Sequence, residues 1–342
     1  MKKLLLCISA GIISALALIQ LYRWFVQPEL LFYKKATAIT SIYEQTLRES
    51  GQSCYVLAGG SEAKSSLIPS VMQKEAGIAV INTATAAGNG LEVNVSVGLQ
   101  HLQTGDTMIL SLNSVDERGI PATAAGKKFL ATTYGLDAFS NSITPFQPST
   151  ILTLLSSDAG SMMITPIRKF TRGYAFVYEK ESTLHPDGWM QVHRGGMQNA
   201  KLYKKIPHDF IISPVCRDLL HNTHEACRKQ QADFVVMLSV EFSNHYETKR
   251  RLMHALQITR MGIPVLKDER LGLSTNNKLF ADMSLHMNAE GAEWNSRIVA
   301  RLIKNKSYWT EQEILNIMKD MGFSEDATPQ LPRTETSPQS TP

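Results

Sequence analysis

The sequence predicts an α/β fold, a three-layer αβα sandwich with a parallel sheet, preceded by one N-terminal transmembrane helix. Two observations predict it. Apolar runs of strand length alternate with helical patterns through short Gly-containing turns, which is typical of a parallel sheet covered by helices. Ahead of them, residues 4–21 carry no charge. As a helix this run would span about 27 Å, close to the thickness of a membrane's hydrocarbon core.

The N-terminal segment, residues 1–27, is predicted to be an uncleaved signal-anchor that enters the membrane through residues 4–26. Aromatic side chains follow the apolar run, as they do at membrane interfaces. A cleaved signal peptide is the alternative, since Ala15-Leu16-Ala17 offers a small-x-small site, but the apolar run continues past it. Positive charges flank both ends, so charge alone does not decide orientation. An export-type N-terminus favours the inner (cytoplasmic) membrane with an extracytoplasmic body.

Residues 28–51 are predicted to be a helical connector, and residues 52–322 one α/β domain. Apolar runs predict strands at 54–58, 78–82, 107–112, 233–240 and 263–266. Apolar periodicity of three and four residues predicts helices at 65–76, 91–102, 122–134, 214–230, 246–261, 288–304 and 310–321. For the helix at 288–304 the predicted core stripe is Trp294, Ile298, Leu302 and Ile303.

Residues 114–210 lack a continuous pattern and are predicted to be an insertion or cap that shapes the site. Within this block, residues 151–155 form an apolar patch, and residues 174–179 alternate like a strand. The stretch from His185 to Trp189 is typical of a turn followed by a hairpin arm. Residues 323–342 are rich in Pro, Thr and Ser, which predicts a disordered tail.

Composition excludes several classes of function. The net charge is +4 over 342 residues, without a dense Lys/Arg run, so we expect no nucleic-acid partner. No Cys-x-x-Cys pair is present, and His221 and His224 have no evident third ligand, so we expect no metal and no cofactor. Cys216 and Cys227 could be bridged only if a turn separates them, because eleven residues of one helix span about 16 Å. Without such a turn, we expect Cys216 and Cys227 to be two free thiols.

Two separated stretches carry side chains that could take part in catalysis. Gly59-Gly60-Ser61 ends the first predicted strand, and Asp282 and His286 lie four residues apart ahead of the helix at 288–304. Serine, histidine and aspartate together convert a weak hydroxyl into a nucleophile. Taken singly, the serine is most often a cap in a strand-to-helix turn, and the histidine most often structural. Their combination is what indicates catalysis.

These blocks resemble the SGNH (GDSL-like) hydrolase superfamily over residues 52–114 and 230–304. The closest similarity is to its membrane-anchored envelope members, the DltD-like proteins and the SGNH domains of the alginate acetylation machinery. Gly60-Ser61-Glu62 is similar to the Gly-Ser-Ser-Glu block of the former. Residues 82–90 resemble the Gly-containing loop that these proteins carry after the second strand. Asp187-Gly188-Trp189 resembles an insert motif of the anchored relatives, with a plain turn as the alternative.

The resemblance implies that Ser61 is the nucleophile, His286 its base and Asp282 the carboxylate that orients the imidazole. The four-residue spacing between Asp282 and His286 departs from the three residues common in the superfamily. An α/β-hydrolase is disfavoured, since there the acid and the histidine normally follow separate strands.

The resemblance also implies an oxyanion hole made by Ser61, Gly88 and Asn113, with Asn89 or Gly90 as alternatives to Gly88. The Gly-x-Asn context expected around Asn113 is absent from the sequence.

The function expected from this resemblance is a membrane-anchored extracytoplasmic serine esterase or O-acyl(acetyl)transferase that acts on a cell-envelope polysaccharide. Its expected partners are a cell-envelope glycan or acyl donor and a multispanning membrane acyltransferase. The alternative is a non-catalytic SGNH-like module that binds a glycan or a partner in an envelope acylation system.

Overall fold

The computed structural model describes residues 2–25, 28–112, 115, 117–139, 143, 182–193, 210–242, 247–281 and 284–323. The described strands are β1 Cys54–Ala58, β2 Ala79–Asn82, β3 Thr107–Leu112, β4 Ser182–Leu184, β5 Met190–Val192, β6 Asp233–Leu238, β7 Glu241–Phe242 and β8 Leu273–Ser274. The described α-helices are α1 Lys2–Phe25, α2 Pro28–Arg48, α3 Ser61–Ser66, α4 Pro69–Ala76, α5 Leu91–Gln100, α6 Ala124–Tyr134, α7 Pro214–Lys229, α8 Glu247–Arg260, α9 Ala289–Lys304 and α10 Glu311–Asp320. The predicted features at 151–155, 174–179 and 324–342 lie outside the described residues.

The central sheet has the order β2-β1-β3-β6, and each neighbouring pair is parallel. Successive side chains of a strand face opposite sides of a sheet. Accordingly, Val56 and Leu110 pack into a core with α5, α7, α8 and α10, whereas Leu57 and Ile109 pack into a second core with α3, α4 and α9. The prediction of an α/β fold with a parallel sheet is therefore confirmed, and helices on both faces are consistent with a three-layer sandwich.

The sheet reverses its direction of growth between β1 and β3. From β1 the chain moves outward to β2, then crosses back to β3 on the other side of β1. In open parallel sheets, ligands bind outside the carboxyl ends of the strands at such a switch point. The residues that follow β1 therefore lie where a site is expected on topology alone.

The N-terminal helix α1 is long and apolar enough to cross a membrane. No part of its window Lys2–Ile19 is buried against the rest of the chain. Leu6 and Ile13, for example, expose 75% and 66% of their surface. An apolar helix exposed on all sides suits a lipid environment. A signal sequence has the same length and composition.

Helix α2 does more than connect α1 to the domain. Phe32, Ala36, Thr40 and Leu47 are buried at intervals of four, four and seven residues along it. This spacing gives a helix one continuous apolar stripe. The helix is therefore part of the folded body.

The predicted fifth strand at 263–266 is reduced to single bridges. Val265 pairs in parallel with Val236, and Leu266 pairs with Tyr308 from the opposite direction. Pro264 has no amide hydrogen to donate, so a regular ladder cannot run through it. Its carbonyl still accepts the Val236 amide at 2.9 Å.

The single helix predicted at 65–76 is two helices, α3 and α4. Pro69 begins α4, and the residue before a proline is driven out of the helical region. Ile68 indeed has an extended backbone, with φ −103° and ψ 105°. The first helix starts earlier than predicted, so that Ser61 is its first residue.

A buried carboxylate joins the start of β1 to α2. The Asp106 side chain is 2% exposed. It accepts the amide hydrogens of Cys54 at 2.8 Å and Gln103 at 2.9 Å, and the guanidinium of Arg48 at 3.0 Å. Removing it leaves the amides of Cys54 and Gln103 without their acceptor and takes one acceptor from Arg48, which keeps the His101 carbonyl and Glu44.

Asp106→Ala is therefore expected to lower the free energy of unfolding by about 3 kcal/mol. The measurement is urea denaturation of the full-length chain in detergent micelles, followed by tryptophan fluorescence. Asp218→Ala, at an exposed position of α7, is the matched control and should change the free energy by less than about 0.5 kcal/mol. Equal stability of the two variants would show that the Asp106 contacts are not stabilising.

Candidate active site

The serine turn, residues 59–61, needs its two glycines because neighbouring chain segments approach it closely. A Cβ atom at Gly59 would lie 3.0 Å from the Cβ of Ala63, and one at Gly60 would lie 3.0 Å from the Cα of Ala87. Real Cβ atoms are rarely that close to other carbons. The glycines thus allow the loop after β2 to pass beside the serine.

The serine turn places the Ser61 hydroxyl beside the imidazole of His286, a residue far away in the sequence. Ser61 Oγ lies 2.9 Å from His286 Nε2. The imidazole is buried, with 1% of its surface exposed, whereas Ser61 is half-buried. This is the distance that a base needs to take a proton from the nucleophile. The two predicted residues are brought together.

The loop that carries His286 is held by its own backbone. The His286 carbonyl accepts the Ala281 amide at 2.8 Å, and Phe280 forms an antiparallel bridge with Met287. The Asn288 side chain then caps α9 by accepting the Gly291 amide at 2.9 Å. The backbone of His286 is therefore held in a tight loop before α9.

Two of the predicted site residues, Asp282 and Asn113, lie outside the described residues. Gly88 is exposed in the short 3₁₀ turn Ala87–Asn89, and its carbonyl accepts the Thr123 hydroxyl at 2.8 Å. This turn lies next to the serine turn.

The two alternatives to Gly88 use their amide hydrogens inside the same turn. The Asn89 amide donates to the Ala86 carbonyl at 3.0 Å, and the Gly90 amide donates to the Ala87 carbonyl at 3.1 Å. An amide already bonded to a carbonyl is poorly placed to stabilise an oxyanion. Gly88 is the better candidate of the three.

A cavity that is partly open to solvent adjoins Ser61. Helix α2 supplies Phe32 and Ala36 to its wall, and the β4–β5 hairpin supplies Leu184 and Met190. The wall is mainly apolar, with a few polar groups. This is the usual character of a small-molecule site.

The β4–β5 hairpin is fastened to the site by its turn. Asp187 accepts the Ser70 hydroxyl at 2.6 Å and the Ser70 amide at 3.1 Å. The Trp189 indole donates to the Ser65 carbonyl at 2.8 Å. The predicted turn and hairpin arm are confirmed, and this part of the predicted insertion lines the cavity.

Asp187→Ala is expected to lower the free energy of unfolding by about 2 kcal/mol, since it removes the acceptor of the Ser70 amide and hydroxyl. Hydrogen exchange of the amides of β4 and β5 should accelerate in parallel. Asp187→Asn keeps one side-chain oxygen and should lose less on both measures. If the two substitutions weaken the hairpin equally, the negative charge rather than the hydrogen bonds stabilises it.

Lys64 is a residue of this site that sequence reasoning missed. It is buried and lines the cavity one helical turn after Ser61. Its Nζ donates to the Asn82 carbonyl at 2.8 Å and to the Thr40 hydroxyl at 3.4 Å. Burial lowers the pKa of Lys64 to about 7, although the carboxylate of Asp187 raises it. The available signal was the Ser-x-x-Lys spacing, which places both side chains on one face of a helix.

A second polar cluster closes the far side of the cavity. His101 Nδ1 lies 2.6 Å from Glu44, and its Nε2 lies 3.0 Å from the Tyr134 hydroxyl. Burial raises the pKa of Glu44, but its hydrogen bonds to His101 and Arg48 outweigh burial and hold it below the usual value. The cluster ties α2 to α5 and α6, and so keeps the cavity wall in place.

Within the described part of the chain, no group of three or more His, Cys, Asp or Glu side chains could hold a metal ion. Cys216 and Cys227 are buried and form no disulfide; both lie on the single helix α7, so no turn separates them.

No protein-family model, curated protein or solved structure matches the chain.

Proposed function

We propose that this chain is a membrane-anchored SGNH-like serine acyl-transfer enzyme, an esterase or O-acyl(acetyl)transferase for a cell-envelope polysaccharide. One observation carries the proposal. The hydroxyl of Ser61 and the imidazole of His286 lie 2.9 Å apart at the carboxyl end of β1, where the sheet has its switch point. A serine and a histidine so placed are the two groups that covalent acyl transfer requires.

In the first half-reaction, Ser61 Oγ attacks the carbonyl carbon of an ester while His286 Nε2 takes the hydroxyl proton. The tetrahedral adduct then expels the donor's alcohol, which receives that proton from the imidazolium. The acyl group remains on Ser61 as an ester. Asp282, four residues before His286, is assigned the role of orienting the imidazole and stabilising its charged form.

The negative charge on the adduct's oxygen needs donors that are already in place. Ser61 is the first residue of α3, and the amide of a first helical residue has no carbonyl partner within its own helix. Gly88, in the turn beside it, and Asn113 are the further donors that the family resemblance implies. One such donor typically contributes about 10²–10³ in rate.

In the second half-reaction, His286 deprotonates the acceptor, whose oxygen attacks the carbonyl carbon of the acyl-enzyme. The adduct then expels Ser61 Oγ, which receives the proton from the imidazolium. Water as the acceptor makes the protein an esterase, and a sugar hydroxyl makes it an O-acyltransferase. The two are distinguished by supplying an envelope oligosaccharide with 4-nitrophenyl acetate and measuring acetylated sugar against free acetate.

The proposed location is the inner membrane, with α1 as a single-pass anchor and the catalytic body on the extracytoplasmic side. The exposed apolar surface of α1 supports the anchor. Sidedness is tested with an alkaline phosphatase fusion after residue 323, which is active only if the body is exported. A neighbouring gene for a multispanning acyltransferase would favour the transferase over the esterase.

The direct test is covalent labelling of the full-length chain in detergent micelles with a fluorophosphonate, followed by peptide mass spectrometry. We expect the label on Ser61. A folded protein with an unlabelled Ser61 that also fails to hydrolyse 4-nitrophenyl acetate would contradict the enzyme and favour the non-catalytic binding module.

A further inference from the structure

Lys64 lies where a group attached to Ser61 would meet it. Both residues line the same cavity, and three residues of helix separate them by about 4.5 Å along its axis. An acyl group bound to Ser61 that extends into the cavity therefore passes along the face on which Lys64 stands.

Three threonine hydroxyls of the cavity wall already donate to the protein. Thr40 donates to the Asn82 carbonyl at 3.4 Å, Thr83 donates to the Leu57 carbonyl at 2.9 Å, and Thr85 donates to the Asn94 side chain. These threonines cannot offer a hydrogen to a ligand without breaking such a bond.

Lys64 is different, because an ammonium group has three donors. Among the described residues its ammonium has two acceptors, the Asn82 carbonyl and the Thr40 hydroxyl, and the bond to Thr40 is long, at 3.4 Å. A buried ammonium with an unused donor is costly, and an acceptor brought in by a ligand would reduce that cost. A pKa of about 7 means that a modest gain from such a ligand is enough to hold the group in its charged form at neutral pH.

We propose that the cavity holds the acyl group during transfer and that Lys64 selects acyl groups with a hydrogen-bond acceptor beyond the reacting carbonyl. The acyl class is thus a short chain with an oxygen along it, such as an alkoxyacyl or oxoacyl group. This inference rests on the proposed function, since it assigns the substrate class of the Ser61 site. Lys64 is a specificity residue here, while His286 remains the base.

The test compares pairs of 4-nitrophenyl esters whose acyl groups have nearly the same shape. Methoxyacetate differs from butyrate by one oxygen in place of a methylene, and 4-oxopentanoate differs from 4-methylpentanoate by a carbonyl in place of a branch. The measured quantity is the ratio of kcat/KM within a pair, compared between the wild type and Lys64→Met. Differences in intrinsic ester reactivity cancel in this comparison.

We expect Lys64→Met to lower this ratio about tenfold in at least one pair, the effect of losing one hydrogen bond to a buried amine. Methionine has a similar length and needs no partner, and the Asn82 carbonyl keeps the Thr40 hydroxyl as a donor, so the variant should still fold. Lys74→Met, an exposed lysine on α4, is the matched control and should leave both ratios unchanged.

A second variant tests the cavity independently of Lys64. Ala36→Leu adds volume to the wall and should slow 4-methylpentanoate about tenfold relative to acetate. Unchanged ratios in both variants would overturn the inference, and so would an equal loss by Lys64→Met on all esters, acetate included. Fluorophosphonate labelling of Ser61 is measured on the same samples. Labelling with unchanged ratios rejects this inference alone, whereas a folded wild type that is neither labelled nor able to hydrolyse 4-nitrophenyl acetate rejects the proposed function.

Discussion

Ser61→Ala is expected to reduce kcat/KM for 4-nitrophenyl acetate by at least about 10³-fold and to abolish fluorophosphonate labelling. The methyl group that remains cannot form the acyl-enzyme. Any residual hydrolysis would come from binding and from donors to the oxyanion, which act on direct attack by water. The fold should be retained, because the half-buried hydroxyl is replaced by a smaller group of good helix propensity.

The control for this variant lies on the same short helix. Ser65→Ala makes the same chemical change one turn later, where the hydroxyl donates to the Ser61 carbonyl at 2.9 Å. It should keep most of the activity and all of the labelling. Equal losses in the two variants would mean that α3 is disturbed as a whole, and that Ser61 has no special role.

The second large effect is expected for His286→Ala, which should lower kcat/KM to about the level of Ser61→Ala. Without a base at 2.9 Å, the serine hydroxyl stays protonated and is a weak nucleophile at neutral pH. Because the two residues act as one unit, the double variant should be no slower than either single variant. Independent roles would instead give multiplied losses.

His221→Ala is the matched control, since His221 is exposed on α7 and distant in sequence from the loop of His286. It should leave hydrolysis and labelling unchanged. An active His286→Ala protein, with unchanged labelling of Ser61, would assign the hydrogen bond between the two side chains to structure and not to catalysis.

Parts of the fold could be read from short stretches of the chain. The strands β1 and β3 were predicted with the same bounds as observed, because uninterrupted apolar runs of this length are typical of strands buried on both faces. The caps at Ser213, Asn288 and Thr310 are equally local, since each is a side chain that bonds to an amide three residues away.

Where two elements pack against each other, local sequence patterns predicted the wrong contact residues or none. The core stripe predicted for α9 includes Trp294, which is 36% exposed and lies beneath the guanidinium of Arg270. The predicted Ile303 is buried, but most of the buried face is made of smaller residues, among them Ala292, Ser296 and Ala300. Hydrophobicity points to the largest side chains, whereas close packing of α9 against α3 and α4 requires small ones.

The sequence alone was enough to name Ser61 and His286 as the groups of the candidate site. Both lie in loops that a parallel sheet brings to its carboxyl edge. Only the tertiary structure decided that their side chains lie 2.9 Å apart. It also decided that α2 and the β4–β5 hairpin line the cavity and that Lys64 is buried beside them. The reason is the range of the interactions. Propensity, capping and periodicity act over a few residues, whereas burial and the contact between residues 61 and 286 depend on how distant segments pack.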